Sequence, residues 1–142
     1  MKIIVDTCVF VDSFDPASCF HDESLSLLTE LSRRKILISM PAHGWFEVQC
    51  ALQHLTDEHR FVPPVILGEM SYTIELIHID NNFIERYKLE KIPYIKAGDH
   101  IFIAVAKKNN YPLITNDRKM IEVAKRCGIR VFTPGEFVRS GI

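Results

Sequence analysis

Four carboxylates, Asp6, Glu47, Asp99 and Asp117, are the residues of this chain best placed to do chemistry together. Asp6 ends the apolar run Ile3-Ile4-Val5, Asp99 precedes the run from Ile101 to Ala106, and Asp117 follows Leu113-Ile114-Thr115, while Glu47 lies among apolar residues at helical spacing. If these junctions meet in space, their charge must be relieved. Two carboxylates about 4 Å apart in an effective dielectric near 20 repel by on the order of 4 kcal/mol, so a cluster of four calls for protons or a cation. Oxygen-only ligands without paired His or Cys favour Mg2+ or Mn2+ over zinc. Such an ion would hold a phosphodiester and lower the pKa of a bound water so that it can attack phosphorus. Hydrolysis would then need no protein nucleophile.

Each acid also has a bland reading. Asp99 and Asp117 both stand where a helix N-cap would stand, and Glu47 alone could be a solvated helix residue. Asp6 is harder to explain structurally, because a strand opening a parallel sheet gains nothing from a carboxylate at its rim.

The elements that must position these residues follow from periodicity. Ile3 to Val5 reads as a strand, and residues 19–35 as an amphipathic helix with Leu25, Leu28 and Leu31 on one stripe. Ile36-Leu37-Ile38-Ser39 is a second apolar run, Pro41 suits the first turn of a helix, and Trp45, Val48, Leu52 and Leu55 recur at helical spacing, with Trp45 read as core. Residues 61–68, with Pro63-Pro64 and Gly68, read as a loop or broken connection. Residues 74–79 alternate like a strand, and Asp80 or Asn81 can cap a helix through Phe83, Ile84 and Tyr87 that Pro93 ends or kinks. The run Ile101 to Ala106 is apolar nearly all round, as in a buried helix, closed by Lys107-Lys108-Asn109-Asn110. Residues 112–115 are a short strand, 117–127 a helix stopped by Gly128, and 129–132 a last strand. Short apolar strands alternating with helices imply parallel crossovers and a sheet covered on both faces. The expected fold is a Rossmann-like three-layer α/β/α sandwich with a central, mainly parallel sheet, whose ligands bind beyond the carboxyl ends of the strands.

At 142 residues, 47% hydrophobic and 25% charged, the chain has the size and apolar content of one domain. Cys8, Cys19, Cys50 and Cys127 form no zinc or disulfide spacing and are read as reduced and mostly buried, as in a cytoplasm. The N-terminal apolar run is too short for a signal peptide or a membrane span. A formal net charge of −1 gives no general attraction to polyanions, so nucleic-acid contact would need a local basic patch or bound cations.

These residues resemble the PIN domain, particularly the small ribonucleases of the VapC toxin type. Ile3-Ile4-Val5-Asp6-Thr7 is similar to the opening strand and first acid, and Trp45-Phe46-Glu47-Val48 to the helix carrying the glutamate. The most specific part is Gly98-Asp99-His100 through Ala106, followed by Leu113-Ile114-Thr115-Asn116-Asp117-Arg118. The resemblance spans nearly the whole chain and implies one PIN-like domain over residues 1–142. It further implies a metal-dependent endoribonuclease with Asp6, Asp99 and Asp117 as ligands and Glu47 as ligand or orienter of water. Thr7, Thr115 and Asn116 would support the site, and Cys8 stands where the family more often has Ser or Asn. A small antitoxin partner and a homodimer are implied in the same way.

Tyr94 could stack on a base and Lys96 hold a phosphate, although a loop aromatic packed on the core is the alternative. Arg118 and Lys119 are further candidates for RNA contact. Arg33-Arg34-Lys35 and Lys107-Lys108 are read as solvated helix ends. His21-Asp22 lacks the further ligands of a metal phosphohydrolase, Asp6-Thr7-Cys8 lacks the second aspartate of an aspartyl-phosphate enzyme, and no cysteine has the nearby arginine of a thiol phosphatase. The competing class is a non-catalytic PIN-like module binding RNA or protein; a DNA nuclease of related fold is a third.

Overall fold

The structure is a computed structural model that describes residues 1–59 and 74–142. The expected loop at 61–68 lies outside the described residues. Within them run β1 (Lys2–Val5), α1 (Thr7–Phe14), α2 (His21–Arg33), β2 (Leu37–Pro41), α3 (Ala42–His59), β3 (Ile74–Ile77), α4 (Asn81–Tyr87), α5 (Ala97–Asn109), β4 (Leu113–Ile114), α6 (Arg118–Arg126), β5 (Val131–Phe132) and α7 (Pro134–Ser140). The strands form one sheet in the order β3-β2-β1-β4-β5, and every pairing is parallel. Helices pack on it as a three-layer α/β/α fold, as the element pattern predicts. Right-handed crossovers place α1, α2 and α3 over one face and α5 and α6 over the other, and α1 accordingly packs on α2 and α3 while α5 packs on α4 and α6.

The order of strands changes direction between β1 and β4. The chain steps outward from β1 to β2 to β3, then returns to the other side of β1 for β4 and β5. A crevice opens at such a switch point beyond the carboxyl ends of the strands, and Asp6 and Thr115 flank it. The ladder carries both into place: Asp6 N–H donates to Ile114 O at 2.9 Å, and Thr115 N–H to Phe132 O at 3.1 Å.

The buried face of α5, Phe102 to Ala106, lies against β1 and β4, where Ile3, Ile4, Val5, Leu113 and Ile114 are fully buried. Burying one such side chain contributes roughly 1.5–3 kcal/mol, so α5 is anchored by packing along its length. Gly44 lets the start of α3 approach it, since a Cβ there would lie 2.5 Å from Cζ of Phe102.

Several expectations are corrected. Residues 7–14, to which the sequence pattern assigns no element, form a helix because Val9, Phe10, Ser13 and Phe14 recur on one buried face; tertiary burial overrides weak helix propensity. The stripe of α2 is Ser24, Leu27, Leu28 and Leu31, and Leu25 is exposed. Pro41 ends β2 instead of opening α3. The helix ahead of Pro93 ends at Tyr87. A further helix, α7, starts at a capping box in which Thr133 and Glu136 satisfy each other's backbone N–H groups. Cys19 and Cys50 are exposed and Cys8 and Cys127 half-buried, so the thiols are not mostly buried, although all four are free. Among the described residues no helix is long and apolar enough to cross a membrane.

Candidate active site

Asp6 is 5% exposed and stands at the N-cap of α1 without capping it through its side chain. Its Oδ2 instead accepts hydrogen bonds from Thr115 Oγ1 at 2.7 Å and Cys8 Sγ at 3.0 Å. Thr115, fully buried, also accepts from the Asp117 backbone N–H at 3.0 Å, so one hydroxyl ties the first acid to the strand end that carries the last. The thiol of Cys8 does reach Asp6, occupying the place of a hydroxyl or amide. Burial and the neighbouring Asp6 charge push that thiol up, so it stays protonated and able to donate.

Asp99 lies in the first turn of α5, whose N-cap is Lys96. Its side chain is 18% exposed, and Lys96 Nζ approaches Oδ2 at 3.8 Å. Asp117 is the N-cap of α6, where Oδ1 accepts from Lys119 N–H at 2.8 Å and Met120 N–H at 3.1 Å. Electrostatics link the three aspartates. Burial raises the Asp6 carboxyl above the ordinary carboxylate range, with the Asp99 charge adding to it and the bonds from Thr115 and Cys8 opposing. Burial likewise raises Asp99, with Asp117 adding and Lys96 opposing. Asp6, Asp99 and Asp117 thus share one rim, as their positions after β1, before α5 and after β4 predict.

Glu47 reaches the same rim from α3 and is half exposed. A Cβ on Gly98 would lie 3.6 Å from Glu47 Oε1, which sets Glu47 beside the start of α5. The connection is made by His43, which sequence reasoning missed. His43 Nε2 lies 2.9 Å from Gly98 O and 3.6 Å from Glu47 Oε1, its ring packs on Phe102 at 5.3 Å between centroids, and its charge acts on Asp99. Nδ1 of His43 is buried and has no hydrogen-bond partner among the described residues. The legible signal was spacing alone, since His43 and Glu47 are four residues apart on one helix and so share a face.

The remaining expected residues are placed differently from one another. Thr7 Oγ1 donates to Gly44 O at 3.4 Å, holding α1 to α3, while the Thr7 backbone N–H helps hold the Asp6 carboxyl down. Asn116 Nδ2 donates to Asp12 Oδ2 at 2.9 Å and Ser24 Oγ at 3.2 Å, a tie between the end of β4 and helices α1 and α2. Tyr94 is 90% exposed, not packed on the core, and Lys96, Arg118 and Lys119 are exposed near the acids.

The four acids suit a hard divalent cation by chemistry and by charge: all donors are oxygen, and two of the carboxyls are already pushed up by burial and by a neighbouring aspartate. Among the described residues no three His, Cys, Asp or Glu side chains are drawn close enough together to hold one ion. The arrangement is an acidic rim and not a closed cage.

A family model described as PIN domain matches residues 3–126. No curated protein matches this sequence. Among solved structures, VapBC2 from Rickettsia felis, bound to a DNA fragment from its promoter, is similar at a TM-score of 0.61 and 15% identity, covering 94% of this chain and 98% of that one. A PilT N-terminus domain protein from Sulfolobus solfataricus P2 is similar at 0.57 and 16%, covering 100% and 94%. FitAcB from Neisseria gonorrhoeae is similar at 0.54 and 18%, covering 94% and 98%. At these identities the likeness is one of fold.

Proposed function

This chain belongs to the PIN domain family, and from that premise we propose that it is a metal-dependent endoribonuclease hydrolysing RNA phosphodiester bonds, the toxin of a type II toxin-antitoxin pair. PIN domains are generally nucleases that use divalent metals. The observation that carries the reading is the buried, Thr115-held Asp6 at the switch point of the sheet, electrostatically coupled to Asp99 and through it to Asp117.

In this reading Asp6, Asp99 and Asp117 hold Mg2+ or Mn2+, and Glu47 is a further ligand or orients the attacking water. Bound there, the ion supplies Lewis-acid stabilisation of the phosphoryl oxygens and a water of lowered pKa. Thr115 and Cys8 fix the Asp6 carboxylate. Tyr94 offers a face on which a base can stack, and Lys96, Arg118 and Lys119 meet phosphates. The resemblance to VapC-type proteins, with the fold shared with VapBC2 and FitAcB, supports a small antitoxin as partner, and a homodimer is implied by the family resemblance alone.

The test is cleavage of transfer, ribosomal and messenger RNA by the purified chain with Mn2+ and with EDTA, beside Asp6→Asn. Cleavage that EDTA abolishes and Asp6→Asn loses is expected. Wild-type cleavage rates from a folded Asp6→Asn chain would remove Asp6 from the mechanism. A second reading, a non-catalytic module binding RNA or protein, has one observation in its favour: among the described residues no three acids are drawn together around a single point. Calorimetric titration with Mn2+ separates the two, since the module predicts no binding at millimolar metal and the nuclease predicts binding that Asp99→Asn abolishes.

A further inference from the structure

The outer face of α6 carries more positive charge than ion pairing among the described residues accounts for. Its exposed positions are Arg118, Lys119, Glu122, Lys125 and Arg126, while Met120, Val123 and Ala124 are buried. Four cations against one carboxylate leave an excess of three positive charges on this one helix (4 − 1), in a chain whose formal net charge is −1. Cations elsewhere on the surface, Arg33, Lys88, Lys107 and Lys108 among them, stand within 4.0 Å of a carboxylate. Among the described residues none of the four on α6 does. Lys125 acts on Glu136 only as a minor charge that helps hold its carboxyl low.

Helix stability accounts for half of this pattern. Lys125 and Arg126 in the last turn complement the helix dipole, but Arg118 and Lys119 in the first turn oppose it. Those two stand immediately after Asp117, at the acidic rim. From there the face runs about 12 Å to Arg126 at 1.5 Å per residue.

We infer that the outer face of α6 is a phosphate track for single-stranded RNA, leading the backbone away from the acid cluster for a few nucleotides. The inference rests on the nuclease reading and adds Lys125 and Arg126 to the substrate surface. Its contacts are to phosphates, so it supplies affinity and direction and not sequence choice. An acidic protein segment is the rival occupant. It is disfavoured because the track begins beside Asp117, Asp99 and Asp6, where a carboxylate-rich chain meets repulsion, whereas a phosphodiester shares the cation those acids would hold.

The experiment measures binding of a fluorescent single-stranded RNA oligonucleotide to Asp99→Asn protein, which is expected not to cleave it, across a monovalent salt series, with and without the added pair Lys125→Gln and Arg126→Gln. Removing two phosphate contacts should make the log–log salt slope shallower by about 1.4, at about 0.7 per contact on a single strand, and weaken binding at moderate salt roughly tenfold. Arg33→Gln, which removes an exposed cation from α2, should change neither quantity. Thermal unfolding checks that all the variants fold. An unchanged slope in the double variant, or an equal loss in Arg33→Gln, overturns the track. Wild-type cleavage of RNA alongside an unmoved double variant overturns the track alone, whereas a wild-type chain that neither binds nor cleaves RNA takes the nuclease reading down with it.

Discussion

Helices α5 and α6 both begin at the acidic rim and both carry an aspartate at their start, yet the two carboxylates are held in opposite ways. Asp117 is the cap of α6 and gives Oδ1 to two backbone N–H groups. Asp99 caps nothing; it sits one turn inside α5, with Lys96 as its ion-pair neighbour at 3.8 Å. The difference follows from how each helix is stabilised. Phe102 to Ala106 bury α5 along its middle, so its first turn needs no cap, whereas α6 buries only Met120, Val123 and Ala124 and depends more on its end. An acid released from structural duty can be raised by burial and by its neighbours and stand ready for a cation. An acid that also caps must serve both purposes.

The largest effect should come from the unencumbered acid. Asp99→Asn is expected to lower RNA cleavage by roughly 10²- to 10³-fold, the range for deleting one group that acts on transition-state charge, while leaving the fold as stable or more so. Stability is expected to hold because the substitution removes a partly buried charge that Asp117 and desolvation both oppose. Cleavage rates beside thermal unfolding would decide it. A variant that loses activity only because it unfolds would mean that Asp99 is structural after all and would break the contrast with Asp117.

A smaller effect concerns pH. Asp6 and Asp99 have carboxyls raised above their ordinary range, chiefly by burial. As pH climbs from the ordinary carboxylate range through the raised values, the unfolded chain has already lost protons that the folded chain still binds. Stability from these groups therefore falls with rising pH and stays low above the raised pKa. A divalent ion bound only by the folded state relieves this and stabilises by about 2.7 kcal/mol at a hundredfold excess over its dissociation constant. The Mn2+-induced rise in melting temperature should thus be larger at pH 8 than at pH 5, and absent at both in Asp99→Asn. Equal shifts at both pH values would disconnect the raised carboxyls from metal.

How far the rim was legible in the sequence depends on whether local pattern or tertiary packing placed each residue. Asp6, Asp99 and Asp117 could be read because each adjoins an apolar run whose period marks an element, and a parallel sheet brings its strand ends to one edge. The fold class followed from the same alternation. The helix at 7–14 could not, because Val9, Phe10 and Val11 look like a continuation of β1 and turn helical only when α2 and α3 cover them. Leu25 fits the period of α2 but lies just off its buried stripe, and only the partner surface decides that. His43 was invisible for the same reason, since its partner Gly98 is 55 residues away in sequence. The capping box at Thr133 and Glu136 is by contrast a purely local pattern, a Thr followed three residues later by a Glu.

The finest test of the comparison is at Asp117, where cap and charge can be separated by choice of substitution. Asparagine caps a helix about as well as aspartate, whereas alanine does not. Asp117→Ala should therefore cost about 1 kcal/mol of stability relative to Asp117→Asn, read from denaturant unfolding without metal, because only alanine leaves the Lys119 and Met120 N–H groups without their acceptor. Both variants should lose cleavage, since neither carries the charge that acts on Asp99. If Asp117→Asn keeps full activity, Asp117 is a cap and nothing more, and the work of the rim falls to Asp6, Asp99 and Glu47. If the two variants are equally stable, the cap contributes little, and α6 is held by its buried face just as α5 is.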